Sequence, residues 1–323
     1  MTMLDLMQGV VVHHLRFEVR SREMGALGAQ PGSALRGALY GALARQYCPD
    51  RQAVHLPGHK SACPVCRLLA TEDPSGERGQ DVPRPVTVEP PPGDRPLRAG
   101  ESWCFGLSLI GTEAAATFPF IIRAAEAMGE SGVGPGRARF DIVGVDTYNP
   151  LDGACESLLE GRVVRRPALP VTAPQVAARA AELPSDRVTL EFLTPLRIGE
   201  DKRLAHRPDL GILLRRLIER CQAIATHFGG SPLARDRARW REVTLRLSAL
   251  AAEAQLTRDE TRWLDVVSGS RRTGRTSPIG GLVGLAQWEG NLAEAMSWLL
   301  WGQSLHVGKS TVKGNGWYRV VEG

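Results

Sequence analysis

Two groups of side chains in this 323-residue chain have types and spacings that can do chemistry. The first is Gly302 to Tyr318, reading GQSLHVGKSTVKGNGWY, where Gly308, Gly314 and Gly316 alternate with His306, Lys309, Ser310, Thr311 and Lys313. Glycine lets a backbone take positive φ and come close to a ligand. Lysines and backbone N–H groups in such a loop form a concavity for an anion. The stretch therefore reads as a phosphate-holding loop, set against the plainer reading of a glycine-rich hairpin that holds nothing. A nucleotide is excluded. The G-x-x-x-x-G-K-[ST] pattern needs glycine at 303, where the chain has Gln303, and it needs a helix after the lysine. Only 14 residues follow Lys309, too few for a nucleotide-binding α/β fold.

The second group is Cys63-Pro64-Val65-Cys66 together with Cys48 and with His55 or His59 between them. Thiolates and imidazole at these spacings supply four ligands for a zinc ion. Six cysteines in a chain of this length do not make a disulfide scaffold. Cys104, in a strand-like run, and Cys221, on an apolar helix stripe, read as core.

A formal net charge of +5 is compatible with a polyanionic partner. Clustering is more informative. Residues 200–241 contain Lys202, Arg203, Arg207, Arg215, Arg216, Arg220, Arg235, Arg237, Arg239 and Arg241, and a second knot holds Arg271, Arg272 and Arg275. The planar guanidinium fork suits phosphate, although a solvated helix face would account for about half of the first cluster. No run approaches the roughly 20 apolar residues that span a bilayer. No basic segment followed by an apolar core opens the chain, so the expectation is a cytoplasmic protein without a membrane anchor.

The elements that must position these groups follow from periodicity. Val10 to Arg20 alternates as a strand, and Ser33 opens a helix to about Tyr47 whose small residues, Gly37 and Gly41 among them, keep it thin for close packing. Arg36, Tyr40 and Tyr47 share one of its stripes. Residues 48–83 read as an inserted, cysteine-containing loop. Strands are expected at Arg84 to Pro92, Glu101 to Gly111 and Arg139 to Val145, with a helix at Phe118 to Met128 stopped by Gly129. After a connector at 150–185 with a short helix around 176–181, the pattern restarts. There is a strand at Arg187 to Leu193 broken at Thr194-Pro195, then an amphipathic helix at Leu210 to Phe228, and WREVTLRL (240–247) fits helix or strand. A strand at Gly280 to Trp288, a helix at 292–301, the glycine loop and a last strand complete it. Strand, helix, strand, strand, helix, strand is the ferredoxin-like order. The expected fold is α+β: two tandem ferredoxin-like (RRM-like, βαββαβ) domains, 1–149 with the insertion at 48–83 and 186–323, joined by the connector.

With these residues in view, the chain resembles the CRISPR-associated RAMP endoribonucleases, which cut precursor CRISPR RNA within its repeats. At the carboxy end the resemblance rests on Arg271 to Ser277, Pro278-Ile279-Gly280-Gly281, and Leu305-His306-Val307-Gly308-Lys309 through Thr311, Gly314, Gly316 and Tyr318. In the amino-terminal half it rests on Leu35-Arg36-Gly37-Ala38-Leu39, the cysteine cluster, Glu89-Pro90-Pro91, Pro119-Phe120-Ile121 and Gly134 to Phe140. The cluster here is one cysteine short of the family's, and Asn315 stands where an apolar residue is more usual.

The resemblance implies metal-independent cleavage. The 2′-hydroxyl upstream of the cut attacks the phosphate, leaving a 2′,3′-cyclic phosphate and a 5′-hydroxyl. Such an attack needs a base, an acid and cationic stabilisation. His306 is the candidate base or acid, with His13, His14, His55 and His59 as amino-terminal alternatives. Lys309 and Lys313 would stabilise charge, with Tyr40 and Arg36 contributing from the first helix. Gly308, Ser310, Thr311, Lys313, Gly314, Gly316, Arg271, Arg272 and Arg275 would bind RNA. Cys48, Cys63, Cys66 and His59 would hold a structural zinc, and no cofactor is required for catalysis. The implied partners are the precursor repeat RNA, retained as the mature guide, and other CRISPR effector subunits, with no membrane and no nucleotide cofactor. The competing readings are a non-catalytic RNA-binding subunit of an effector complex and a zinc knuckle that docks a partner.

Overall fold

The structure, a computed structural model, describes residues 2–53, 56–69, 82–94, 96–160, 163–201, 203–269 and 276–321. It divides into an amino-terminal unit (Val12–Asn149 with Ala154–Pro170) and a carboxy-terminal unit (Val171–Gly323 with Met1–Val11 and Pro150–Gly153).

In the amino-terminal unit, β1 (Val11–Ser21) is followed by α1 (Pro31–Tyr47), the short helices α2 (Pro57–Ala62) and α3 (Pro64–Leu69), β2 (Val86–Glu89), β3 (Ser102–Ile110), α4 (Phe118–Ser131), β4 (Phe140–Tyr148) and β5 (Cys155–Ser157). The antiparallel sheet runs β2-β3-β1-β4-β5. Its first four strands have the order that the ferredoxin-like chain sequence produces. Alternation in β1 sends Leu15, Phe17 and Val19 to the core, where Phe17 stacks on Phe105 at 4.8 Å and Trp103 meets Phe140 edge-on. The helix α1 buries Leu35, Leu39, Ala42 and Leu43. Close packing through Gly37 is not what the structure shows, because the space beside it is open. Gly129 does not stop α4. The helix continues to Ser131, Gly132 at φ 79° caps it, and Gly129 lets it press on the backbone of Phe140.

The carboxy-terminal unit contains α5 (Ala173–Glu182), β6 (Arg187–Leu196), α6 (Leu210–Phe228), α7 (Arg237–Glu253), β7 (Gln255–Leu264), β8 (Gly281–Glu289), α8 (Ala293–Leu305) and β9 (Tyr318–Val321). Its antiparallel sheet runs β7-β8-β6-β9, the same order again. The apolar stripe expected of α6 is buried from Leu210 to Ile224, and Asp209 caps the helix by accepting from the Ile212 N–H at 2.8 Å. The ambiguous segment is helical. Trp240, Val243 and Leu247 are buried at spacings of three and four. The expected break at Thr194-Pro195 is a register shift within β6 rather than its end. Contacts also place the amino-terminal segment in this unit: Trp301 Nε1 lies 3.1 Å from Met3 Sδ and Ser231 Oγ donates to the Asp5 carbonyl.

Candidate RNA-processing site

The glycine loop links α8 to β9, and its two ends are stapled together. Tyr318 Oη donates to the Leu299 carbonyl at 2.7 Å, and the Val320 N–H donates to Gln303 Oε1 at 2.7 Å. Within the loop, backbone N–H groups expected to face an anion are spent on the protein itself. Lys309 N–H donates to Arg197, Lys313 N–H to Ser310, Gly314 N–H to Thr311, Gly316 N–H to Pro195 and Val307 N–H to Gly316. Thr194, at the register shift of β6, donates to the Gly314 carbonyl and accepts from the Trp317 N–H. Glycine is required at 316, where φ is 69° and any Cβ would run into the Val307 carbonyl. The polar departure at Asn315 is explained: its buried amide donates to the Ile279 carbonyl at 2.8 Å. The loop is thus a rigid frame that presents side chains. Lys309 is exposed, Ser310 and Lys313 are half-buried, and Thr311 is buried.

His306 is sealed inside the carboxy-terminal unit. It caps α8 at φ 57°, its side chain is 0% exposed, and its ring lies parallel to that of Trp317 with centroids 6.1 Å apart. Several arginines expected to meet phosphate are used inside the unit. Arg216 donates to the Gly199 carbonyl and pairs with Glu219, and Arg215 pairs with Glu200. Arg220 donates to the Leu305 carbonyl, and burial lowers its guanidinium to about 10. Arg203 and Arg207 are exposed. Arg271, Arg272 and Arg275, along with Lys202 and His55, lie outside the described residues.

In the amino-terminal unit, the stripe Arg36, Tyr40, Tyr47 splits by function. Tyr47 packs edge-on against Phe120. Arg36 Nη2 donates to the Leu69 carbonyl at 3.0 Å, and Arg84 Nε donates to the same oxygen at 3.3 Å. Burial, then the Arg84 charge, lowers the Arg36 pKa. Burial, then the Cys66 and Cys48 thiols, raises that of the Tyr40 phenol. The donor atoms of Cys48, His59, Cys63 and Cys66 all lie within 4.8 Å of one another, a set that could hold a metal ion. Burial, then the neighbouring Cys63 thiol, pushes the Cys66 thiol up to about 12.

Two groups escaped sequence reasoning. His14, Ser108 and Tyr148 converge on the buried Glu89, with His14 Nδ1 2.7 Å and Ser108 Oγ 2.8 Å from its Oε1. The adjacent histidines and the Glu89-Pro90 step were the signals, but their meeting depends on strand register. The exposed His206 lies against Trp263 with ring centroids 4.2 Å apart and planes tilted by 33°, a pair 57 positions apart that no local pattern announces.

Each unit has the ferredoxin-like strand order, and the second carries the glycine loop with the exposed Lys309. The model of the CRISPR-associated endoribonuclease Cas6 family matches residues 190–318, and that of the AF_1859_N family, described as an N-terminal domain, matches residues 8–169. The chain carries the AF_1859_N domain over residues 8–169, and the match over residues 190–318 supports a CRISPR-associated endoribonuclease of the Cas6 type. No curated protein matches it. Among solved structures, it is similar to the Cas6 (TTHB231) product complex at 15% identity and a TM-score of 0.59, covering 96% of this chain and 100% of that one. Thermus thermophilus Cas6 (TTHB231) matches at 15% identity and a TM-score of 0.55, covering 97% and 99%. A chain of a partial Cas6-RT-Cas1–Cas2 complex matches at 12% identity and a TM-score of 0.61, covering 98% of this chain and 47% of that one. Such likeness shows the tandem ferredoxin-like fold. The Cas6 family match over residues 190–318 supports an endoribonuclease of CRISPR RNA processing.

Proposed function

We propose that the protein cuts precursor CRISPR RNA within its repeats by attack of the upstream 2′-hydroxyl, without a metal ion in the reaction. The 2′-oxygen–phosphorus bond forms and the phosphorus–5′-oxygen bond breaks. One proton leaves the 2′-hydroxyl, one reaches the 5′-oxygen, and the products are a 2′,3′-cyclic phosphate and a 5′-hydroxyl. The observation that carries this reading is the loop itself: a frame fixed by its own backbone that holds the Lys309 ammonium in solvent, inside the region matched by the endoribonuclease family. Lys309, with Ser310 and Lys313, would grip the backbone and stabilise the phosphorane. The sealed ring of His306 supports a positioning role beneath the loop rather than proton transfer. Arg36 and Tyr40 are the amino-terminal unit's candidates for the chemistry. The site of action would be the cytoplasm. Among the described residues, no helix is long and apolar enough to cross a membrane. Other CRISPR proteins are proposed partners, by analogy with the Cas6-RT-Cas1–Cas2 assembly of the similar chain.

The test is cleavage of a repeat RNA by the purified chain. Cutting should proceed in EDTA and cease when the nucleotide upstream of the cut is 2′-deoxy. A metal requirement, or cleavage of the deoxy substrate, would overturn the mechanism. The burial of His306 also favours a second reading, a non-catalytic guide-binding subunit, and tight binding with no turnover would select it.

Lys309→Ala should weaken binding across repeat sequences and reduce the slope of log affinity against log salt by about 0.7, the share of one phosphate contact on single-stranded RNA. An unchanged slope would remove Lys309 from the backbone contacts.

A further inference from the structure

We propose that Cys48, His59, Cys63 and Cys66 hold one zinc ion in a closed, structural site, and that this ion fixes the loop-and-helix insertion whose last carbonyl positions Arg36. The inference does not depend on the cleavage mechanism.

The geometry comes first. Zinc–sulfur bonds of about 2.3 Å and zinc–nitrogen bonds of about 2.0–2.1 Å at tetrahedral angles set sulfur–nitrogen edges of about 3.5 Å. His59 Nε2 lies 3.3 Å from Cys48 Sγ and 3.4 Å from Cys66 Sγ, and the four donor atoms form one cluster. The donors come from separate pieces of chain. Cys48 ends α1, His59 lies in α2, Cys63 sits at the α2–α3 junction and Cys66 lies in α3. Spacing alone left His55 or His59 as the fourth ligand. The structure places His59 in the cluster.

The ligand chemistry selects the ion. Three soft thiolates and an imidazole suit zinc, whereas calcium and magnesium demand oxygen. An iron–sulfur cluster of the common kind takes four cysteines. Four protein ligands leave no open position, which is the mark of a structural rather than a catalytic zinc.

The insertion also needs such a tie. Each of α2 and α3 has six residues, far below the length at which a helix holds itself in water. The sequence PGHKSA of α2 brings little apolar surface to compensate. Once α3 is tied to the end of α1 through the ion, its terminal Leu69 carbonyl is fixed as the acceptor for both Arg36 and Arg84. Arg36 is then a residue positioned by the metal.

The experiment uses the full chain. Elemental analysis after extensive dialysis should find one zinc per chain, and a mercurial thiol reagent should release it to a colorimetric indicator. Growth in cobalt should give the intense visible absorption of tetrahedral, thiolate-bound cobalt. Cys66→Ser should lose the metal and lower the melting temperature by more than about 5 °C. Because that variant can fail to fold, His59→Cys is the companion, and it should keep the metal with a cobalt spectrum shifted toward four thiolates. A folded wild-type chain with less than about 0.1 equivalent of zinc and no cobalt bands would overturn the site, as would recovery of Cys63 and Cys66 as a disulfide. Neither outcome bears on whether a 2′-deoxy substrate is cut, so failure here and failure of the mechanism are separable.

Discussion

Replacing Gly302 by alanine is expected to destabilise the carboxy-terminal unit by roughly 3–5 kcal/mol and to lower its melting temperature by roughly 10 °C or more. Gly302 lies in α8 where the Tyr318 side chain crosses the helix, and an added methyl would overlap the phenol oxygen. Tyr318 is wholly buried, so it cannot swing into water. It must shift within a packed core and give up its hydrogen bond to the Leu299 carbonyl. The same bond, with Gln303 to Val320, staples together the two ends of the glycine loop. Loss of stability should therefore be accompanied by weaker RNA binding. Tyr318→Phe removes the overlapping oxygen, so the double variant should be less damaged than the sum of the two single changes. A Gly302→Ala protein that melts within about a degree of the parent would refute the interlock.

His306→Ala is expected to cost about 2–4 kcal/mol of stability and to weaken RNA binding roughly ten-fold, while the single-turnover rate at saturating RNA changes by no more than a few-fold. The ring is sealed under the loop against Trp317, and its removal leaves a hole beneath the segment that carries Lys309. A group that transfers a proton would behave in the opposite way, with a rate loss of about 10²–10⁴-fold and binding preserved. That pattern would restore His306 to the chemistry. The backbone supplies a control. At φ 57° alanine is strained and glycine is not, so His306→Gly should be more stable than His306→Ala by about 1 kcal/mol despite losing more side chain.

The elements that could be read from the sequence are those that bury one face. The alternation of Leu15, Phe17 and Val19 and the stripe from Leu210 to Ile224 each mark a surface removed from water, and both were found where expected. The strand β7 was missed for the complementary reason. From Gln255 to Glu260 its side chains are exposed, so QLTRDE carries no hydrophobic period. The segment around Trp240 was ambiguous because Val243 and Thr244 favour strands locally, and only packing against α6 settles it as helix. Spacing found Cys48, Cys63 and Cys66 of the candidate metal cluster and narrowed its fourth member to His55 or His59. It could not find the meeting of His14 with Glu89, which is set by cross-strand register. Nor could it show that His306 points inward, since a glycine loop can present a side chain to either face.

The edges of the second sheet have a consequence for how the protein behaves in a crowded solution. β7 is an outermost strand and offers a row of backbone groups to any neighbouring chain. Its register shifts between Leu256 and Arg258, and charged residues at 258, 259, 260 and 262 follow, with Arg258 paired to Glu260 at 2.7 Å. At the opposite edge, β9 has four residues, too few to template a long partner. A bulge, a charged run and a short last strand are the devices by which open sheets resist edge-to-edge growth. These features of β7 and β9 oppose edge-to-edge pairing between copies of the second sheet.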